Sequence, residues 1–154
     1  WIETLKGYGL EPASVIRGNW DAQSGYAGAL QMLRETPQFS AVLVANDQMA
    51  LGVLSAFHQH QISIPGEKSV IGYDDTYESS FFYPALTTVS LDLDLQGKEA
   101  VRRILASTSG APHTSSILPA RLVIRHSSGA RIEQGKDLQA IAEQLRAIAH
   151  RLAP

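Results

Sequence analysis

The chain has 154 residues, the length of one ordinary domain. With 44% hydrophobic and 18% charged residues it has the composition of a soluble globular protein, and no apolar run approaches the ~18 residues of a membrane helix. The 13 basic and 15 acidic residues leave no basic excess for neutralising DNA phosphates, and the absence of cysteine removes disulfides, thiolate metal sites and thiol catalysis.

The first residue is Trp1 rather than Met, and residues 1–7 read as helix with no cap or signal-peptide pattern before them. The expectation is the C-terminal part of a longer protein. Short β-branched runs then alternate with longer stretches of helical spacing, the pattern of βαβ units and a parallel sheet. Residues 14–18 read as a strand. Asp21 is placed to cap a helix with Ala22, Tyr26, Ala29, Leu30 and Leu33 on one stripe, which ends before Thr36-Pro37. Residues 41–44 are apolar on both faces, as in a strand covered by helices on each side. Asn46 or Asp47 caps the next helix, residues 48–60, whose Ala50, Val53, Leu54 and Phe57 face the sheet. Met49 and Leu51 fall off that face.

Residues 69–73 form a further strand ending in Asp74-Asp75, followed by a short helical turn over 77–82 closed by Pro84. Residues 87–90 read as strand, and 94–106 as an amphipathic helix with Ala100, Val101, Ile104 and Leu105 inward, terminated at Gly110 and Pro112. Residues 121–125 make an edge strand with charged ends, and a polar linker follows. Leu138, Ile141, Leu145, Ile148 and Leu152 then recur at alternating spacings of three and four, about two heptads of an a/d seam. Such a helix either docks on its own domain or, tethered by the linker, serves oligomerisation.

In open parallel sheets ligands sit outside the carboxyl ends of the strands, which here carry Asn19-Trp20, Asn46-Asp47 and Asp74-Asp75. An aromatic face, a carboxamide and a carboxylate at one edge suit a polyhydroxylated ligand, the ring stacking on the sugar while Asn and Asp bond its hydroxyls. The plainer assignments are a helix cap for Asn46 or Asp47, a cap for the following turn from Asp74 or Asp75, and a core position for Trp20. The histidines offer no metal-ligand spacing, because His58 and His60 are two apart on a helix and the others are isolated. No serine elbow, P-loop or dinucleotide glycine pattern occurs, so an enzyme is not expected.

At residues 44–52 (VANDQMALG) and 70–76 (VIGYDDT) the chain resembles the lac repressor (LacI) family of bacterial transcription regulators. Asn19-Trp20, residues 31–33 (QML) and residues 84–89 (PALTTV) also fit at unchanged spacing, so the resemblance spans about 1–124. It implies an α/β fold of the periplasmic-binding-protein-like type I class, a parallel sheet flanked by helices, with a C-terminal oligomerisation helix. Residues 1–90 would form the C-terminal effector-binding subdomain, and 91–120 a crossover belonging to a mostly missing N-terminal subdomain. Residues 121–126 would be the return strand, 127–136 a linker and 137–153 the oligomerisation helix.

The resemblance also implies that Asn46 and Asp74 bond a sugar effector packed on Trp20, with no cofactor or metal. Leu91 and Leu93 fall at the pocket rim, where they depart from the lac-type pattern, and an essential arginine of the family site lies upstream. Leu51, Phe81 and Phe82 match dimer-interface positions, with Tyr83 nearby; burial beneath the Pro84 turn is the other assignment for these aromatics. The implied partners are a sugar, operator DNA through the missing N-terminal head, and further copies of the chain as homodimer or tetramer. The setting is cytoplasmic, without membrane attachment. A sugar-binding receptor of the periplasmic type is the alternative, against which the heptad tail argues. With most of the N-terminal subdomain missing, as the LacI-type resemblance implies, the helix with Ala100, Val101, Ile104 and Leu105 would have lost much of its packing partner and would expose an apolar patch.

Overall fold

The computed structural model describes residues 1–108, 115 and 117–129. The chain order is α1 (Ile2–Gly7), α2 (Ala22–Glu35), β1 (Ala41–Leu43), α3 (Asp47–Gln59), β2 (Ser69–Asp74), a 3-10 turn (Tyr77–Phe81), β3 (Thr87–Leu91), α4 (Leu93–Thr108) and β4 (Ala120–Val123). The heptad helix over 137–153, with Leu138, Ile141, Leu145, Ile148 and Leu152, lies outside the described residues, as do Gly110, Pro112 and most of the linker.

The four strands form one sheet in the order β1-β2-β3-β4. The first three run parallel, with Leu43 beside Ile71 and Ile71 beside Thr87, and β4 returns antiparallel along β3. This is the α/β class expected from the alternation of strand and helix patterns. Helix α2 starts where Asp21 accepts the Ser24 N–H at 2.7 Å, and α3 where Asn46 accepts the Met49 N–H at 2.8 Å. Of the two candidate caps for α3, Asn46 is therefore the one that serves.

The α3 face buries Ala50, Val53, Leu54 and Phe57 in one cluster with Val44, Val70, Leu86 and, from α2, Ala29. Burying each large member contributes about 1.5–3 kcal/mol. Helices α2 and α3 meet backbone to backbone: a Cβ on Gly52 would collide with the Ala22 carbonyl, and one on Gly25 with that of Met49. Close approach is thus the reason for glycine inside these helical patterns. It also gives Met49 a place, in the contact between the two helices and partly packed on the core.

Some expectations are corrected. Residues 14–18 join no ladder among the described residues; Ile16 lies beside Gly28 of α2 while Val15 is exposed. A β-branched run is a strand only where its N–H and C=O groups find a neighbouring ladder, and that pairing is not encoded locally. Strand β1 is consequently an edge, with Leu43 exposed rather than covered on both faces. Helix α4 has no buried residue: Val101, Ile104 and Leu105 are exposed, against the inward reading of their spacing but in line with the exposed face that the resemblance implies.

The polar segment after β4 does not begin as a free linker. Ser127 is fully buried, its Oγ accepting the Thr87 N–H at 2.7 Å and donating to the Val70 carbonyl at 2.6 Å. Its own carbonyl accepts the Val70 N–H at 2.8 Å, which fastens the returning chain to two strands.

Candidate functional site

The carboxyl end of the sheet gathers the residues singled out from sequence. Strands β1 and β2 end side by side, the Val44 N–H donating to the Ile71 carbonyl at 2.8 Å, and their chains leave toward Asn46 and Asp74. Trp20 reaches this edge from the turn before α2, where the Asn46 Nδ2 donates to its carbonyl at 3.1 Å. Its ring is not core, since 68% of the residue is exposed. Trp20, Asp74 and Asp75 all have left-handed backbones, with φ of 66°, 116° and 58°. Such conformations are uncommon for non-glycine residues, and persist where surrounding contacts fix them.

Asn46 therefore caps a helix and also organises the site. Its Oδ1 takes the Met49 N–H and one Nδ2 hydrogen goes to Trp20. A carboxamide has two donors and two lone pairs, so one of each remains for a ligand. Asp74 is exposed and, among the described residues, makes no side-chain hydrogen bond. Partial burial, and then the like charge of Asp47, push its carboxyl above the usual aspartate range. Asp74 and Asp75 do not cap the following turn, whose cap position Thr76 has no side-chain cap bond.

Asp75 instead meets Arg125, which follows β4, at 2.6 Å. The same guanidinium donates to the Leu86 carbonyl at 2.9 Å and to Ser79 Oγ at 3.2 Å. Partial burial would push the Asp75 carboxyl up, but hydrogen bonds from Arg125 and Ser90, with the charges of Arg125 and Arg121, hold it below the usual value.

Of the other sequence-derived candidates, Leu91 closes β3 at this same edge, one residue past Ser90, which lies beside Asp74, whereas Leu51 lies on α3 and Phe81 and Phe82 in the turn before β3. Leu91, at the end of β3, is half-buried, and Leu93, at the start of α4, is exposed. Near them a cavity of ≈ 370 Å³ opens between Ser90, Asp92 and Leu95 on one side and Pro119, Ala120 and Arg121 on the other. Leu51 lines a shallow cavity of ≈ 250 Å³ with Leu54, Ser55, His58 and Tyr83. The aromatics of the turn divide: Phe82 packs against the core, while Phe81 stays exposed with its ring 5.3 Å from that of Tyr77. No group of three or more His, Asp or Glu among the described residues is arranged to hold a metal, and no helix among them is long and apolar enough to cross a membrane.

From sequence Asp47 stands only as a strand-end residue or candidate cap, and Thr88 and Arg125 have no place at the site. The pair Asn46-Asp47 did carry a signal, because a helix has one cap position and the second carboxylate needed another task.

The periplasmic binding protein-like domain family matches residues 2–128, nearly all that the structure describes. The chain belongs to that family. Its relatives make it LacI-type: the lactose operon repressor of Klebsiella pneumoniae is 42% identical over 154 residues, 99% of this chain and 43% of that protein. The chain thus spans less than half the length of this curated relative. Among solved structures, a lac repressor dimer bound to operator and the anti-inducer ONPF superposes with a TM-score of 0.81 at 38% identity, covering 84% of this chain and 46% of that one. A complex of the transcriptional regulator CelR with cellobiose gives a TM-score of 0.75 at 28% identity, covering 82% and 40%.

Proposed function

We propose that this LacI-type chain is the effector-binding and oligomerisation region of a transcriptional repressor, in which a neutral sugar alters operator affinity. The observation that carries the reading is the edge that gathers an exposed Trp20 ring, an Asn46 amide with spare donor and acceptor, and an Asp74 carboxylate that has no side-chain hydrogen bond among the described residues. A sugar offers the apolar ring face that stacks on indole and the hydroxyls that donate to a carboxylate. The relatives are repressors, which favours regulation over catalysis and over a periplasmic-type receptor. A cytoplasmic location belongs to the same reading.

Mechanistically, a ligand held against this subdomain by Trp20, Asn46 and Asp74 favours one arrangement of the whole protein. Operator affinity changes by no more than the ligand's preference between arrangements. Leu91 and Leu93 form the rim, and Leu51, Phe81 and Phe82 lie on the dimer face. Residues 137–153 join dimers into tetramers. Calorimetry of the full chain with ONPF, cellobiose and a panel of neutral sugars tests the site. Binding is expected for at least one, and Asp74→Ala is expected to abolish it. Absence of any sugar binding, or unchanged binding by the variant, overturns the reading. Deleting residues 136–154 is expected to convert tetramer to dimer by light scattering.

A further inference from the structure

Asp47 is a carboxylate with no exposed surface, and it neither caps α3 nor belongs to the ligand set. Its Oδ1 accepts the Thr88 hydroxyl of β3 at 2.6 Å, and its Oδ2 accepts the Thr76 N–H at 2.9 Å and the Thr76 hydroxyl at 3.5 Å. Gly72 of β2 lies beneath it, and a Cβ there would strike Asp47 Oδ1. Helix α3, strand β3 and the turn after β2 therefore meet at this one side chain. The turn it grips is the left-handed Asp74–Asp75 pair, held from the other side where Arg125 pairs with Asp75. The charged groups around Asp74 are Asp47 from α3, Asp75 in its own turn, and Arg125 and Arg121 from the β4 side, the two arginines acting on Asp75.

We propose that Asp47 is a positioning residue for the ligand site: by joining Thr76 to Thr88 it fixes the left-handed turn that presents the Asp74 carboxylate at the sheet edge. The proposal rests on the assignment of Asp74 as a sugar contact. Burial makes the bonds of Asp47 strong and their loss costly, because Asp47 and Thr88 are closed to water that could replace them. The like charge of Asp47 has a second effect. It opposes ionisation of Asp74, so binding that needs ionised Asp74 weakens as the pH falls through that carboxyl's raised range.

Two substitutions separate holding the turn from the charge. In Asp47→Asn the amide oxygen can take the Thr76 N–H while the NH₂ donates to the Thr88 hydroxyl, which can reverse its role. The turn is then kept and the charge removed. Asp47→Ala removes both.

The experiment is NMR of the full chain without ligand, following the Asp74 carboxyl carbon and the Thr76 amide, together with calorimetry using ONPF and cellobiose. In Asp47→Asn the Asp74 titration should move to lower pH, with Thr76 still slow to exchange and neutral-pH affinity within about threefold of the parent. In Asp47→Ala the Thr76 amide should exchange rapidly and affinity should drop about tenfold or more, the equivalent of one lost hydrogen-bonded contact. If the Ala variant does not fold, Thr88→Val breaks one of the bonds without touching Asp47 and should give a smaller loss of Thr76 protection. A protected Thr76 in both Asp47→Ala and Thr88→Val overturns the proposal, and an unmoved Asp74 titration in Asp47→Asn overturns the charge effect. A parent chain that binds neither probe, with Thr76 and Asp74 responding as expected, overturns the assignment of Asp74 and leaves only the hold of Asp47 on the turn supported.

Discussion

Helix α3 buries Ala50, Val53, Leu54 and Phe57 against the sheet, whereas α4, with Val101, Ile104 and Leu105 on one stripe, buries nothing among the described residues. Both read from sequence as amphipathic helices. An apolar stripe states which face wants to leave water, but the rest of the fold decides whether anything covers it. The sharpest test sets one residue of each against the other. Phe57→Ala, at a fully buried position, should cost about 3–5 kcal/mol, while Ile104→Ala, 64% exposed, should stay within about 0.5 kcal/mol. Urea denaturation of the chain measures both. Similar losses at the two sites would mean that α4 is covered in solution and that the contrast is false.

A second way to sharpen the comparison uses the polar contacts that hold the subdomain around α3 together. Arg125 joins the segment after β4 to Asp75, Ser79 and Leu86, and neither partner of its ion pair is well exposed. Arg125→Met keeps much of the stem but takes from Asp75 its ion-pair partner, leaving only Ser90 and the more distant Arg121, and removes the donor to the Leu86 carbonyl. A loss of about 2–3 kcal/mol is expected by the same denaturation measurement. Asparagine at position 75 in the Arg125→Met background should recover part of it, because the stranded charge is then gone.

The features legible from sequence are those settled within a few residues. Asp21 and Asn46 were recognisable as candidate caps because a cap bonds an N–H three residues on, and the α3 face because its spacing is helical. The strand-end rule marked Asn46-Asp47 and Asp74-Asp75 without any knowledge of their contacts; it marked Asn19-Trp20 as well, but from a strand over residues 14–18 that joins no ladder among the described residues, and Trp20 reaches the edge instead through its bond with Asn46. What stayed hidden depends on partners distant in the chain. Residues 14–18 have the composition of a strand but no ladder, and Asp47 is buried by Thr76 and Thr88, residues on a turn and a strand beyond its own helix. Ser127 looked like linker because serine is polar. Its hydroxyl and carbonyl are spent on β2 and β3, which local composition does not encode.

Asn46→Ala tests the cap that starts α3, with a smaller expected effect. It removes the acceptor for the Met49 N–H and the bond to the Trp20 carbonyl. The loss should be about 1 kcal/mol. Asn46→Asp should recover most of the stability, because a carboxylate caps as well, but not the donor to Trp20. Sugar binding in that variant should remain weakened, separating the cap from the ligand contact.

The smallest effect is expected on α4, where local charge pairs are formed among the described residues. Glu99 accepts from Arg102 at 2.8 and 2.7 Å and from Arg103 at 2.7 Å, and these bonds, that of Arg102 first, hold its carboxyl at about 2. Glu99 is depressed in the helix relative to its unfolded value, so its contribution is present in full above the ordinary glutamate range and is lost as the pH falls toward about 2. Solvent screens the pairs, so the change is slight and salt should diminish it further. Glu99→Gln should therefore lower the helical circular dichroism signal slightly at neutral pH and low salt, with the difference shrinking both in 1 M salt and in acid. The α3 side, held by burial, should respond to neither. If the variant's deficit survives high salt unchanged, α4 is held by packing rather than by its own charge pairs, and the two helices differ less than their exposure indicates.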